Sequence, residues 1–188
     1  SLMAQITPLA TVTAVFNPGK AEILAEQALQ LAQTLGDQIA EAKILWNQLI
    51  IYRNINKAAQ AIVCGQRALA LVRQLHLPEQ MAFVLHDLGY CFAFKADFKS
   101  AMASFLEASE LWRELSNLPM LGDSLTGACL VCVFTGEYDA AITFFEEALQ
   151  ISQSIDSLWG LAGCRHNIGY VFGDCGEMER AIFEMEES

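Results

Sequence analysis

The sequence predicts an all-α chain of stacked antiparallel helix pairs, and three observations carry that expectation. Shifted by forty positions against itself, the 188-residue chain lays alanines over alanines, and a period of this length marks an array of one supersecondary unit. Ala, Leu, Glu and Gln are abundant, prolines number only four, and no run of β-branched residues is bounded by turn signals, a pattern that favours helix over strand. Short polar or glycine-bearing links recur between apolar stretches: Asn54 to Lys57, Lys95 to Asp97, Thr135 to Glu137 and Asp174 to Glu177.

The first predicted helix, Pro18 to Leu35, opens on a proline, whose missing N–H does least harm in a first turn. It carries Ala21, Ala25 and Ala28 on one side, since a spacing of seven returns to the same helix face. The face recurs as Ala61, Gly65 and Ala68 in the helix Lys57 to Leu75, and as Ala101, Phe105 and Ala108 in Asp97 to Leu115. It returns again as Ala141, Phe145 and Ala148 in Glu137 to Ile155, and as Ala181 and Met185 from Glu177 onward. Small side chains there let a neighbouring helix approach closely.

Alternating with these run Asp37 to Ile55, Pro78 to Lys95, Pro119 to Thr135 and Ser157 to Asp174. Their shared columns are Leu49, Gly89, Cys129 and Gly169, then Tyr52, Phe92, Cys132 and Phe172. A small residue followed by an aromatic one fits a close crossing plugged by a ring. The expected domain is one solenoid, 1–188, with a partial unit at 17–36, full units at 37–76, 77–116 and 117–156, and a truncated one at 157–188. Solenoids normally finish on a polar capping helix. Its absence predicts a fragment of a larger cytoplasmic regulatory protein, or ends that pair with another copy.

Eleven basic against twenty-two acidic side chains give −11, the wrong sign for a phosphate backbone, so nucleic acid is not an expected partner. The longest membrane-like stretch, Leu125 to Phe134, is half of the roughly 20 residues that span a bilayer, so no membrane is expected either. Ser1 to Phe16 is apolar without a basic start, which argues against a signal peptide and for the cytoplasm. Ser1-Leu2 ahead of Met3 reads as a cloning remnant. In that compartment Cys64, Cys91, Cys129, Cys132, Cys164 and Cys175 are expected as reduced thiols.

The pattern Leu88-Gly89, Phe92, Ala101, Phe105, Ala108 is similar to the tetratricopeptide repeat (TPR), whose usual unit is about 34 residues. The chain resembles the forty-residue variety, in which both helices are longer. It departs from the usual pattern in lacking the early Trp, where Leu45, Leu85, Leu125 and Arg165 stand, and the closing Pro. The resemblance implies a right-handed α-α superhelix whose first helices line a concave groove that binds a protein or an extended peptide.

His86 and His166 invite a catalytic or metal reading, yet they are copies of one column with Trp46 and Thr126, so no shared metal site is expected. Cys129-x-x-Cys132 lacks a second ligand pair and sits in the packing columns. Without a P-loop, G-x-S-x-G or HExxH the chain offers no named nucleophile or base, so neither catalysis nor a cofactor is expected.

The face implied for binding reads Lys43, Trp46, Asn47, Ile50, Arg53 and Asn54, then Phe83, His86, Asp87, Tyr90 and Phe94. It continues as Asp123, Thr126, Leu130 and Phe134, then His166, Asn167 and Tyr170. Aromatics interleaved with amides suit peptide recognition. An amide both donates and accepts, so the column Asn47, Asp87, Gly127, Asn167 reads either as a ladder for a peptide backbone or as side chains satisfying nearby helix groups. Long-repeat members of the family resemble this chain in having Asn there and binding peptides through it. Lys43 and Arg53 read as a basic spot for a ligand carboxylate, or as a solvated face. The family's two-carboxylate clamp, with Lys and Asn recurring across three units, has no counterpart here. The competing expectation is a self-association module, a homodimer with no groove ligand.

Overall fold

The polypeptide reverses direction every twenty residues through a single left-handed residue. In the computed structural model, which describes residues 18–187, φ is positive at Gly36, Asn56, His76, Ala96, Ser116, Gly136, Asp156 and Gly176. The next N–H then reaches back five residues: Asp37, Lys57, Leu77, Asn117, Glu137, Ser157 and Glu177 donate to Ala32, Tyr52, Val72, Trp112, Cys132, Ser152 and Phe172 at 2.8–3.0 Å. The left-handed residue itself bonds three back, as Gly36 does to Gln33 at 3.1 Å. This pair of bonds satisfies the carbonyls that a helix end otherwise orphans.

Among the described residues lie nine α-helices and no strand. They are α1 (Pro18–Leu35), α2 (Gln38–Asn54), α3 (Ala58–Gln74), α4 (Pro78–Phe94), α5 (Phe98–Glu114), α6 (Leu118–Thr135), α7 (Tyr138–Ser154), α8 (Leu158–Asp174) and α9 (Met178–Glu186). The expected limits differ from these by one residue at most, chiefly because they included the flanking caps, such as Lys57 and Leu75 of α3. Expectations for residues 1–17 and Ser188 lie outside the described residues. Asp37, Asp97, Asn117 and Ser157 cap their helices by accepting from Ala40, Ser100, Met120 and Gly160 at 2.9, 3.2, 3.3 and 3.1 Å.

By their contacts the helices form two compact units, Ser1–Ala96 and Asp97–Ser188. In the first, α1 to α4 pack in succession and α2 also touches α4; in the second, α5 to α9 do so and α6 touches α8. The alanine columns are the contact surfaces: Ala61, Ala68, Ala101, Ala108, Ala141 and Ala148 are 0% exposed. Leu45, Leu49, Val84 and Leu88 close over Ala61, Cys64 and Ala68 in the first unit. A Cβ at Gly65 would stand 2.4 Å from Leu49 and 2.5 Å from Leu88, so the bare glycine is what lets the two leucines interlock over α3.

Helix α6 corrects the expectation of a ten-residue apolar stretch. Taken as a whole, its eighteen residues, Leu118–Thr135, are long and apolar enough to cross a membrane, by length and composition only, and half of that window is buried. Its hydrophobicity has a packing cause. As the helix touching α5, α7 and α8, it is apolar on several sides, and Leu121, Leu125, Ala128, Cys129 and Cys132 fill those interfaces.

Ser116 holds φ at 56°, a conformation that costs an L-residue roughly 1–2 kcal/mol and glycine little, against about 0.5–1 kcal/mol of extra backbone entropy for glycine. Ser116→Gly is therefore expected to stabilise the chain by about 0.5–1 kcal/mol, read as a higher urea midpoint at unchanged m-value. A lower midpoint would contradict the strain.

Candidate functional site

In the first unit α2 and α4 lie side by side, and the side chains on their outer face form one connected cluster. The Trp46 and Phe83 rings stack at 5.2 Å. The Trp46 indole N–H donates to Asp87 Oδ2 at 2.6 Å, and Arg53 pairs with Asp87 Oδ1. The Arg53 guanidinium stands 5.9 Å from the Tyr90 ring centroid, and His86 meets the same ring edge-on at 5.2 Å. Asp87 is 7% exposed, and a carboxylate so placed needs its hydrogen bonds and its countercharge. Two residues from α2 supply both. The Arg53 charge, read from the sequence either as a spot for a ligand carboxylate or as a solvated face, is paired with the chain's own Asp87.

The second unit repeats part of this arrangement. His166 meets Tyr170 edge-on at 5.2 Å, the pair that His86 and Tyr90 make eighty positions earlier. Asn167 Nδ2 donates to the Thr126 carbonyl at 3.2 Å. Trp46 with Asp87 and Thr126 with Asn167 are each separated by forty-one positions, so one lateral contact recurs. Within each unit, the residue at 46 or 126 touches the residue at 87 or 167 of the following first helix.

That geometry sorts the expected site residues. Asn47 donates from Nδ2 to the Lys43 carbonyl of its own helix at 2.6 Å, and Asp87 and Asn167 hold neighbouring first helices together. Gly127 has a packing cause as well: a Cβ there would meet the Phe105 ring at 2.4–2.8 Å. Exposed on the same face are Lys43, Asn54, Phe94, Phe134, His166 and Tyr170, while Ile50, Phe83, His86, Tyr90, Asp123, Thr126 and Leu130 are half-buried. Phe134 leans on Phe98 at 5.8 Å between centroids. Lys43 and Trp46 also line a small pocket with Ile39, Val72, Leu77, Gln80 and Val84, where α2 meets the turn between α3 and α4. No sequence motif marked that pocket, because its residues come from three helices.

Five of the six thiols are packing groups. Cys64, Cys91, Cys129, Cys132 and Cys164 are free and buried, and Cys175 is free and exposed. Burial pushes Cys91, Cys132 and Cys164 up to about 11 and Cys129 up to about 12, so at neutral pH they are protonated and poor nucleophiles. Among the described residues no group of three or more His, Cys, Asp or Glu is placed to hold a metal ion.

The family described as Tetratricopeptide repeat matches residues 130–155, which cover the end of α6 and all of α7. No curated protein matches the sequence. Among solved structures, BtubC (BKLC) from P. vanneervenii is similar over 98% of this chain and 77% of its own, at 22% identity and a TM-score of 0.87. A Podosopora anserina structure, described as kinesin light chain nearly identical TPR-like repeats, is similar over 98% of this chain and 92% of its own, at 14% identity and a TM-score of 0.81. The fold is that of stacked TPR-like helix pairs. A Rap protein complexed with Competence and Sporulation Factor shares the fold over 99% of this chain and 63% of its own, at 15% identity and a TM-score of 0.73.

In TPR terms α2, α4, α6 and α8 are the first helices. The position of the family's early Trp is filled by buried Leu45, Leu85 and Leu125. Its fourth copy, Arg165, lies 3.6 Å from Glu184 and 3.7 Å from Glu187 and stands over the Phe183 ring. Completing the amide column by Gly127→Asn would drive a side chain into Phe105, which is 0% exposed. The expected outcome is a destabilisation of about 1–3 kcal/mol, as for other overpacked cores, measured by urea unfolding. A neutral or stabilising substitution would show that the ring does not depend on the gap.

Proposed function

We propose that the chain is a protein-interaction module, part of a larger cytoplasmic regulatory protein, whose first-helix faces bind an extended segment of a partner. The observation that carries this reading is the recurrence of edge-on His–Tyr pairs, His86 with Tyr90 and His166 with Tyr170, on the outer face of first helices. A ring already held by a neighbour loses little freedom on binding, and aromatics dominate interface energetics. The Trp46–Phe83 stack and exposed Phe94 extend the same surface along the first unit. The structural neighbour holding Competence and Sporulation Factor supports a bound partner for this fold. Five buried free thiols suit a reducing compartment. The role is non-catalytic: the residues on this face bind and orient.

Linear peptides selected from a displayed random library against the intact chain test the reading. Tyr90→Ala or Tyr170→Ala, with an unchanged thermal midpoint, is expected to weaken the best peptide about tenfold or more, the 1.4 kcal/mol scale of a lost aromatic anchor. Val63→Ser, on the exposed side of α3, is the control and should leave affinity within about twofold. Equal affinity for all variants, or a dimer that hides both tyrosines, would overturn it.

A further inference from the structure

The turns into α6 and α8 share one rim of the second unit. The two helices pack side by side, with Asn167 on the Thr126 carbonyl at 3.2 Å, and they begin from equivalent turns forty positions apart. That rim exposes Leu115 (39%), Leu118 (41%), Leu158 (82%) and Trp159 (82%). Single exposed leucines are ordinary, but a patch of four large apolar groups that includes a tryptophan marks an interaction surface. At 82% exposure Leu158 and Trp159 serve no packing role in this chain.

Charge states what kind of partner fits. Residues 97–188 carry sixteen acidic and four basic side chains, −12, whereas residues 1–96 carry six acidic and seven basic, +1. On the rim itself Glu114 and Asp156 are exposed, and the nearby cation Arg113 is engaged by Glu147 at 2.6 Å. One N-terminal amide of α6 and one of α8, among those that otherwise attract anions, are taken by caps: Met120 donates to Asn117 at 3.3 Å and Gly160 to Ser157 at 3.1 Å. An apolar ledge within an acidic field suits a helix that lays down an apolar stripe flanked by lysine or arginine. We propose that this rim, centred on Leu158 and Trp159, docks a cationic amphipathic helix of a partner protein. The site is separate from the first-helix face.

The test uses the whole chain and two labelled helical peptides of about 15 residues, one of Leu and Lys in an amphipathic pattern and one with Glu in place of every Lys. The Lys peptide is expected to bind, at least about tenfold more tightly than the Glu peptide, and to lose about tenfold in the double variant Leu158→Ser with Trp159→Ala. Circular dichroism and the thermal midpoint of that variant should match the parent, because neither side chain is packed. Undiminished binding to the double variant would mean attraction by charge alone and would overturn the proposal. No binding, or equal binding of the Glu peptide, would overturn it too, as would Trp159-dependent binding to phosphatidylcholine vesicles in place of the peptide. Tyr90→Ala and Tyr170→Ala leave the rim intact, so this result is independent of the peptide test on the first-helix face.

Discussion

The closing turn, one left-handed residue with a hydrogen bond reaching back five positions behind it, is the constraint on which the rest of the molecule depends. It fixes the helices between turns at seventeen or eighteen residues, each about 26 Å long at 1.5 Å per residue. Within each unit, equal lengths bring the same face of every second helix back to the same height. Alanines 0% exposed therefore lie under the larger side chains of neighbouring helices, as Ala61 and Ala68 lie under Leu45, Leu49, Val84 and Leu88, and the helices approach closely without overpacking. The turn accepts Gly, Asn, His, Ala, Ser and Asp at its left-handed position. The geometry is held by the helices on either side, and five non-glycine residues bear the strain.

With the helices in register, the first-helix faces divide into a seam and a surface. The seam is polar: Asp87 draws Trp46 and Arg53 of α2 onto α4, and Asn167 ties α8 to the Thr126 carbonyl of α6. A nearly buried carboxylate is tolerated only with partners, so these contacts tie each first helix to its neighbour at one position. Just outside the seam lies a layer of tyrosines, histidines and phenylalanines, the surface on which the proposed binding rests. A rigid seam under a partly exposed aromatic layer is a reasonable way to present flat rings at little entropic cost.

The forty-residue period was legible because each second helix packs its alanine column against the first helices beside it, and that column recurs in five successive copies from Ala21 to Ala181. The underlying step of twenty was hidden. The left-handed positions 36, 56, 76 and onward hold six residue types and only three glycines, so no residue identity marks them. Tertiary closure imposes their backbone conformation. The engagement of Asp87 was hidden for a different reason. Its partners lie forty-one and thirty-four positions away, and an offset of one from the repeat is invisible in a column-by-column reading. Gly127, which reads as a gap in an amide ladder, is the space that the Phe105 ring requires. The ten-residue apolar stretch in α6 was underestimated because Asp123 and Ser124 interrupt it in sequence, while the helix around them is apolar enough to be counted as a whole.

Amide hydrogen exchange on the intact chain tests the central claim most directly. The amides of Asp37, Lys57, Leu77, Asn117, Glu137, Ser157 and Glu177 each follow a left-handed residue and donate into the preceding helix. They should exchange slowly, at protection comparable to the adjoining helix ends, in a pattern that recurs with the turns. Exchange at the rate of unstructured peptide at these positions, with the helices between them still protected, would contradict the account.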